Sequence, residues 1–278
     1  MSESSHSRGS RPLVDRAALE HIYETYNRRE FTHPDPVETI YRYKDVDDRE
    51  VAALIAALLS LGRVRQILKS VEGALSRVGS RPARFIENAS RNELETAFDG
   101  FRHRFITGCE VAATLDGARE LRRRHGSLGR RLAELVREDD ETVVDGLGAL
   151  VDELERAAGQ GMCGRFLPLP RRRSACKRLH LYLRWMVRCD DVDPGGWDGV
   201  SPSKLVVPLD THMHRLGTAL GLTSRTSADL RAALEITSGF REVCPEDPVR
   251  YDFALTRSGI HPDVGTESLE ACGLMVSQ

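Results

Sequence analysis

The sequence has no long apolar run and no paired cysteines, and each absence excludes a class of protein. Its longest apolar stretch, Val51–Leu61, is too short to cross a bilayer. The six cysteines are scattered and include no Cys-x-x-Cys pair, which argues against a structural zinc site and a disulfide framework. Residues 1–15 hold no apolar signal region and are predicted to be a disordered tail. We therefore expect a monomeric protein of the reducing cytoplasm that does not associate with membranes.

Lysine is also scarce. Of 40 basic residues only four are lysines, namely Lys44, Lys69, Lys177 and Lys204. A guanidinium group stays protonated, whereas a lysine amine can act as a nucleophile once it has lost its proton. Each lysine is therefore a modest clue to chemistry, although codon bias alone would also leave a few. The net charge of −2 gives no global sign of nucleic-acid binding, so any such function requires a local basic patch.

Apolar residues recur at helical spacing over most of the chain, without a series of alternating strands or a glycine-rich phosphate loop. The strongest helix, Arg49–Leu61, is apolar nearly all round, which predicts a buried central position. Leu94–Phe105 is interpreted as a loop rich in aromatic residues and arginine. These patterns predict an all-α fold, with a helical domain over residues 16–262 and an irregular tail over residues 263–278.

Asp210 precedes a stretch whose apolar residues return every three or four positions. This pattern predicts that Asp210 is a helix N-cap, with its carboxylate facing backbone N–H groups. His212 and His214 form a His-x-His pair, which suits a metal site on a strand. On a helix, residues two apart point about 200° apart. We therefore expect no metal there and interpret both histidines as ordinary helix residues.

A basic cluster stands just before another apolar helix; it comprises Arg171, Arg172, Arg173, Lys177 and Arg178. It is either a solvated basic turn or a hairpin that grips phosphates. The small residues Ser174–Cys176 would let a phosphate backbone approach the free N–H groups of the helix start. The same positive surroundings would disfavour the ammonium form of Lys177, as a lysine nucleophile requires.

The central helix ends in a break at Ser60–Arg63, and Gln66 follows one turn later. Such a turn could present Arg63 to a DNA groove. Taken alone, the break is better explained as a helix end with a surface arginine.

Four blocks of the chain resemble, in order, the helix-hairpin-helix (HhH-GPD) DNA glycosylase superfamily, which includes endonuclease III and the 8-oxoguanine glycosylases. They are A-L-I-A-A-L-L-S-L-G, G-F-R-H-R-F-I-T-G-C-E-V-A-A-T-L, L-P-L-P-R-R-R-S-A-C-K-R and V-P-L-D-T-H-M-H-R-L. The resemblance spans about Val46–Ile260 and is closest to a bacterial branch and to the archaeal 8-oxoguanine glycosylase. It implies a two-lobed helical fold with a DNA-binding cleft between the lobes.

The chain departs from the family in two places. The L-P-G-V-G core of the family's hairpin is absent, and Arg171–Arg173 stand where glycines are expected. Side chains would then have to bind the DNA phosphates at this hairpin. The C-terminal cysteine quartet that holds an iron–sulfur cluster in endonuclease III is also missing. We therefore expect no cofactor.

The resemblance assigns Lys177 to the catalytic lysine and Asp210 to the catalytic aspartate. It implies base-excision repair of double-stranded DNA, in which a damaged base, such as 8-oxoguanine, is flipped out of the duplex. The Lys177 amine would displace the base, form a Schiff base and cleave the strand as an AP lyase. Asp210 would stabilise the developing sugar cation and help to keep the lysine deprotonated.

The other expected DNA contacts are Arg63, Gln66, Arg171, Arg172, Arg173, Ser174, Arg178, Thr211 and His212. Base recognition is assigned to Asp252 and Phe253 on a helix predicted over Val249–Ile260. Two alternatives stay open: a non-catalytic DNA-binding protein of the same fold, and a metal-dependent phosphohydrolase that uses His212 and His214.

Overall fold

A computed structural model of the chain describes residues 14–170 and 174–260, with side chains up to residue 257. The described residues form twelve helices: α1 (Arg16–Tyr26), α2 (Val46–Leu59), α3 (Val64–Val78), α4 (Pro82–Asn88), α5 (Arg91–Ala97), α6 (Gly108–His125), α7 (Leu128–Leu135), α8 (Val144–Ala158), α9 (Lys177–Val187), α10 (Thr211–Ala219), α11 (Leu230–Val243) and α12 (Asp252–Ile260). The all-α prediction is confirmed. No helix of the described part is long and apolar enough to cross a membrane.

Helix α2 is central, as its composition predicts. The side chains of Val51–Leu59 are buried on every face of the helix. Helices α3, α4 and α9 pack around it. The helix ends at Leu59 with Ser60 as its C-cap, and Gly62 follows with a φ of +109°, a conformation that favours glycine. Because α9 packs on α2, this turn lies close to the start of α9.

Glu50 is a buried carboxylate on this otherwise apolar helix. It accepts hydrogen bonds from the indole N–H of Trp197 (2.9 Å) and the backbone N–H of Gly129 (3.1 Å), and it pairs with Arg122 of α6. Burial raises the pKa of Glu50, while Arg122 and the Gly129 N–H oppose the shift. The carboxylate thereby joins α2 to α6, to the start of α7 and to the loop after α9.

Three sequence-based boundaries are wrong. Helix α2 begins at Val46, three residues before the predicted start, and it ends at Leu59 rather than at Leu61. Leu94–Phe105 is not simply a loop, because a Ser90–Glu93 capping box starts α5 before it and a β-hairpin ends it. In the hairpin, β1 (Arg102–His103) pairs antiparallel with β2 (Ile106–Thr107). Strands of two residues are too short to show alternation in sequence. Helix α12 begins at Asp252, three residues later than the predicted start.

A buried ion-pair network fastens α9 to α12. Asp193, which is fully buried, accepts from the Nε of Arg184 (3.1 Å) and pairs with Arg188. Arg184 also pairs with Asp252 at the start of α12. Burial raises the pKa of Asp193 to about 6, while the charges of Arg184 and Arg188 oppose the shift. Asp193 is thus the carboxylate that the two guanidinium groups share, while Asp252 also pairs with Arg184, and Asp190 and Asp247 also pair with Arg188.

Replacing Asp193 with Asn should destabilise the fold by about 3 kcal/mol, because two buried guanidinium groups would lose their shared counter-charge. Urea denaturation followed by circular dichroism measures this free energy of unfolding. Asp198→Asn is the matched control, since Asp198 is exposed in the same loop. An Asp193→Asn protein as stable as the control would contradict the structural role of the network.

Candidate functional site

Lys177 and Asp210 lie far apart in sequence but meet in the fold. Lys177 is the first residue of α9, and Asp210 is the N-cap of α10. The Lys177 Nζ is 3.2 Å from the Asp210 Oδ2, and one third of the lysine side chain (33%) is exposed. The amine is therefore held by a carboxylate and is still accessible to a ligand.

The two carboxylate oxygens of Asp210 have separate partners. Oδ1 accepts the backbone N–H groups of His212 and Met213, both at 3.0 Å, which confirms the predicted N-cap. Oδ2 faces Lys177. Burial raises the pKa of Asp210, but the Lys177 charge and the Met213 N–H outweigh burial and hold this pKa below its usual value. The carboxylate is ionised at neutral pH, with one oxygen left for chemistry.

The pair borders a cavity of about 470 Å³. From α9 the cavity is lined by Lys177, Leu181 and Arg184, which follow each other at spacings of four and three residues and so share one helix face. Asp252 and Arg257 line it from α12. Helix α9 thus supplies both the candidate nucleophile and the deeper wall.

The charges of the inner wall cancel in three ion pairs. Lys177 pairs with Asp210, Arg184 pairs with Asp252, and the Nη2 of Arg257 lies 3.0 Å from the Oδ2 of Asp35. All six residues line the cavity. Its interior therefore carries no net charge, which suits a neutral polar ligand better than an anion.

The rim of the cavity is different. Arg63, in the turn after α2, and Arg104, in the β-hairpin, line the cavity and are exposed. Neither guanidinium group has a carboxylate partner within the described part of the chain. A Cβ added to Gly62 would lie only 2.6 Å from the Nη1 of Arg104, so the two loops are in direct contact. The rim is cationic although the whole protein is slightly acidic.

The other predicted DNA contacts are spread over the site. His212 lines the cavity, whereas Thr211 is exposed outside it. Gln66 does not line the cavity, and its amide donates to the Oγ of Ser70 (3.2 Å). Ser174 is exposed shortly before Lys177. Arg171, Arg172 and Arg173 lie outside the described residues.

Arg178, which was predicted to contact DNA, is bound inside the protein in this structure. Its guanidinium group donates to the carbonyl oxygens of Phe166 (2.8 Å), Arg165 (2.9 Å) and Leu58. Leu58 belongs to the last turn of α2. Arg178 therefore fixes the start of α9 against the end of α2, beside Lys177, because buried carbonyl groups require a donor.

Of the two predicted base-recognition residues, only Asp252 lines the cavity. Phe253 is buried in the core, where it packs against the guanidinium group of Arg257 at 4.0 Å from the ring centroid. Consecutive residues of a helix point about 100° apart, and of this pair Asp252 is the one whose side chain faces the cavity. The assignment of Phe253 to the cavity is wrong.

The two histidine side chains of the His-x-His pair point in different directions. His214 donates its Nε2–H to the carbonyl oxygen of Arg225 (3.0 Å), away from the cavity that His212 lines. Within residues 14–170 and 174–260, no three His, Cys, Asp or Glu side chains are grouped so as to hold a metal ion.

Sequence reasoning missed Arg104, Arg184 and Arg257 as cavity residues. Arg184 had a detectable signal, because it stands within the apolar run L-Y-L-R-W-M-V, where a buried arginine needs a partner. Arg104 had none, since its position depends on a two-residue turn that only the folded hairpin reveals.

A buried histidine supports the rim. The Nε2–H of His103 donates to the carbonyl oxygen of Leu61 (3.0 Å), so in the neutral ring Nδ1 accepts the hydroxyl proton of Ser70 (2.8 Å). The Ser70 oxygen in turn accepts from Gln66. This chain of hydrogen bonds joins α3, the β-hairpin and the turn that carries Arg63. Gln66, expected to contact DNA, here contributes to positioning.

Acidification should weaken this chain of hydrogen bonds. Burial lowers the pKa of His103, with Arg104 and Arg178 adding to the shift, so the unfolded chain binds a proton at a higher pH than the folded one. The free energy of unfolding should therefore fall as the pH drops below about 6.5. His103→Gln should reduce this loss between pH 7 and pH 5 by about 1 kcal/mol. Urea titrations at each pH test this, with exposed His21→Gln as control; equal slopes in both variants would refute it.

Comparison with known proteins gives a family but no activity. No curated protein and no solved structure is significantly similar to the chain. One family model matches residues 35–261, from the segment that carries Asp35 of the cavity wall to the end of α12. Since this match covers most of the 278 residues, the chain belongs to the family described as "Protein of unknown function (DUF2400)".

Proposed function

We propose that the protein is a DNA glycosylase with AP-lyase activity, which removes a flipped-out damaged base through a Schiff base on Lys177. One observation carries the proposal: the Lys177 Nζ lies 3.2 Å from the Asp210 Oδ2 at the border of the cavity. A two-lobed helix-hairpin-helix architecture, double-stranded DNA as partner and an oxidised purine such as 8-oxoguanine as target belong to the same proposal.

The distribution of charge supports a flipped nucleotide as the ligand. A nucleobase is neutral and polar, and the inner wall has no net charge because its six charges are paired. The phosphates stay outside, where the unpaired Arg63 and Arg104 line the rim. The volume of about 470 Å³ lies within the range of pockets that enclose small ligands.

The Lys177 ammonium must first pass a proton to Asp210, because only the uncharged amine is a nucleophile. Its nitrogen attacks C1′ while the bond from C1′ to the base breaks, and the departing base takes the electron pair and then a proton. Asp210 offsets the positive charge that develops on the sugar and can accept the proton that the nitrogen releases. Ring opening gives the imine. Loss of a C2′ proton then expels the 3′-phosphate, and hydrolysis of the imine restores Lys177.

Borohydride should trap a covalent protein–DNA adduct on duplex DNA that contains 8-oxoguanine, because it reduces the imine to a stable amine. Lys177→Ala and Lys177→Arg should give no adduct, since neither has an amine nucleophile. The matched control, Lys69→Ala, removes an exposed lysine from α3 and should be trapped as the wild type is. A panel of duplexes, each with one damaged base, extends the test if 8-oxoguanine fails. An adduct that survives Lys177→Ala, or none on any duplex, would refute the lyase.

The substitution Asp210→Asn tests whether the carboxylate acts in catalysis as well as in capping α10. Asn caps a helix about as well as Asp, so the free energy of unfolding should change by less than about 1 kcal/mol. Base release should slow by roughly 10²- to 10⁴-fold, because the carboxylate that serves the sugar cation and the lysine proton is lost. Single-turnover kinetics with gel analysis measure this rate. If the variant is stable and releases the base at the wild-type rate, Asp210 has no part in the mechanism. If neither the wild type nor the variant releases a base but both bind distorted DNA, the protein is a non-catalytic DNA-binding protein.

A further inference from the structure

Strand cleavage needs a proton acceptor beside the Lys177–Asp210 pair. Once C1′ of the sugar is joined to the lysine nitrogen as an imine, the proton that must leave is on C2′, the neighbouring carbon. A general base therefore has to reach the space next to the Lys177 Nζ, at the border of the cavity. The lysine nitrogen cannot serve, because it is bonded to C1′ at this stage.

Both carboxylate oxygens of Asp210 are already engaged. Oδ1 accepts the backbone N–H groups of His212 and Met213, and Oδ2 faces Lys177. In the proposed reaction this carboxylate also receives the proton of the lysine amine. A second proton transfer, from C2′, is therefore better served by a different group.

The other acidic and hydroxyl side chains that line the cavity also have partners. The carboxylates are held by guanidinium groups, and the hydroxyl groups donate to backbone carbonyl oxygens one helical turn earlier. These pairs are Asp35–Arg257 and Asp252–Arg184, and Ser60–Ala56 (2.8 Å) and Thr256–Asp252 (2.9 Å). A cation beside a carboxylate favours its charged form, so such a carboxylate is a weak proton acceptor.

The imidazole ring of His212 differs from these groups. It lines the cavity and is half-buried. Within residues 14–170 and 174–260, neither ring nitrogen has a hydrogen-bond partner. Burial raises the pKa of Asp210, whereas Lys177, the Met213 N–H and, more weakly, His212 lower it, so the ring lies near the Lys177–Asp210 pair. An unengaged proton acceptor thus stands beside the candidate nucleophile.

His214, on the same helix, shows the contrast with a structural histidine. Its Nε2–H donates to the carbonyl oxygen of Arg225 (3.0 Å), which fixes the ring away from the cavity. Residues two apart on a helix point about 200° apart, so only one of the two histidines faces the cavity. In its neutral form an imidazole has one nitrogen that carries no proton and accepts one. Histidine is also the most frequent general base of enzymes.

We propose that His212 is the general base of strand cleavage and takes the C2′ proton from the protonated imine on Lys177. The electron pair of the broken C2′–H bond moves towards the C1′ carbon of the imine. A double bond then forms between C2′ and C3′ while the C3′–O bond breaks, and the phosphate leaves with the electrons of that bond. The imidazolium returns its proton to water. This inference rests on the proposed function, since it requires the Schiff base on Lys177.

The test uses the full chain and a duplex with one aldehydic abasic site, so that no base has to be removed. The rate of strand cleavage by His212→Ala should fall by roughly 10²- to 10⁴-fold, because a general base contributes about this much. Borohydride should trap more adduct from this variant before cleavage, since the imine forms first and is then consumed slowly. His214→Ala is the matched control from the same helix and should cleave the strand as the wild type does, because its ring is bonded outside the cavity.

Added imidazole gives a second measurement that a purely structural role would not affect. The free base can enter the space that the ring leaves in His212→Ala, so it should restore part of the cleavage rate as its concentration rises. It should restore nothing in Lys177→Ala, which forms no imine. Dissociation constants for a duplex with a tetrahydrofuran abasic analogue, which cannot form an imine, measure DNA binding separately.

Cleavage by His212→Ala at the wild-type rate would overturn the inference and leave the lysine chemistry intact. A parallel loss of binding, trapping and cleavage in this variant would also overturn it, because His212 would then be a DNA contact. If the wild type forms no adduct with the abasic duplex, Lys177 makes no Schiff base, and the inference fails together with the proposed function.

Discussion

Charge pairing in a closed interior is the constraint on which the cavity depends. Ionised groups are costly to remove from water, and they persist inside a protein only with partners. Arg184 illustrates this, because its Nε is bonded to Asp193 and it also pairs with Asp252. The same rule applies nearer the surface, where Lys177 meets Asp210. The result is a polar wall without net charge, in which each group is oriented by its counter-charge rather than by solvent.

Helix α9 places two of these paired groups, Lys177 and Arg184, at the cavity. Its first residue is Lys177, and its second, Arg178, is bonded to Leu58 at the end of α2. Arg184, two turns later, forms part of the inner wall. Because α2 is buried on all sides, its end is a fixed reference, and the lysine amine is positioned relative to it. The loops that end α2 and join β1 to β2 then complete the rim. Their positions depend on His103, which is bonded to both Leu61 and Ser70.

The inner wall of the cavity and its rim differ in whether their cations have carboxylate partners. Inside, every cation that lines the wall has a carboxylate partner; on the rim, Arg63 and Arg104 have none within the described residues. An unpaired surface guanidinium is hydrated and free to exchange water for phosphate. This separation explains how a chain with a net charge of −2 can present a local cationic surface, and why composition alone gives no sign of it.

The sequence by itself determined the helical class, the burial of α2 and the capping role of Asp210, because periodicity and N-caps depend on neighbours in the chain. Lys177 is the candidate nucleophile because it stands among arginines at a helix start and because the resemblance assigns it to the catalytic lysine. Only the tertiary structure decided that Arg178 binds internal carbonyl groups and that Phe253 is buried in the core while Asp252 lines the cavity. It also decided which further arginines line the cavity, namely Arg104, Arg184 and Arg257. Those outcomes depend on which carboxylates and carbonyl groups lie nearby after folding, and such partners come from segments far apart in sequence.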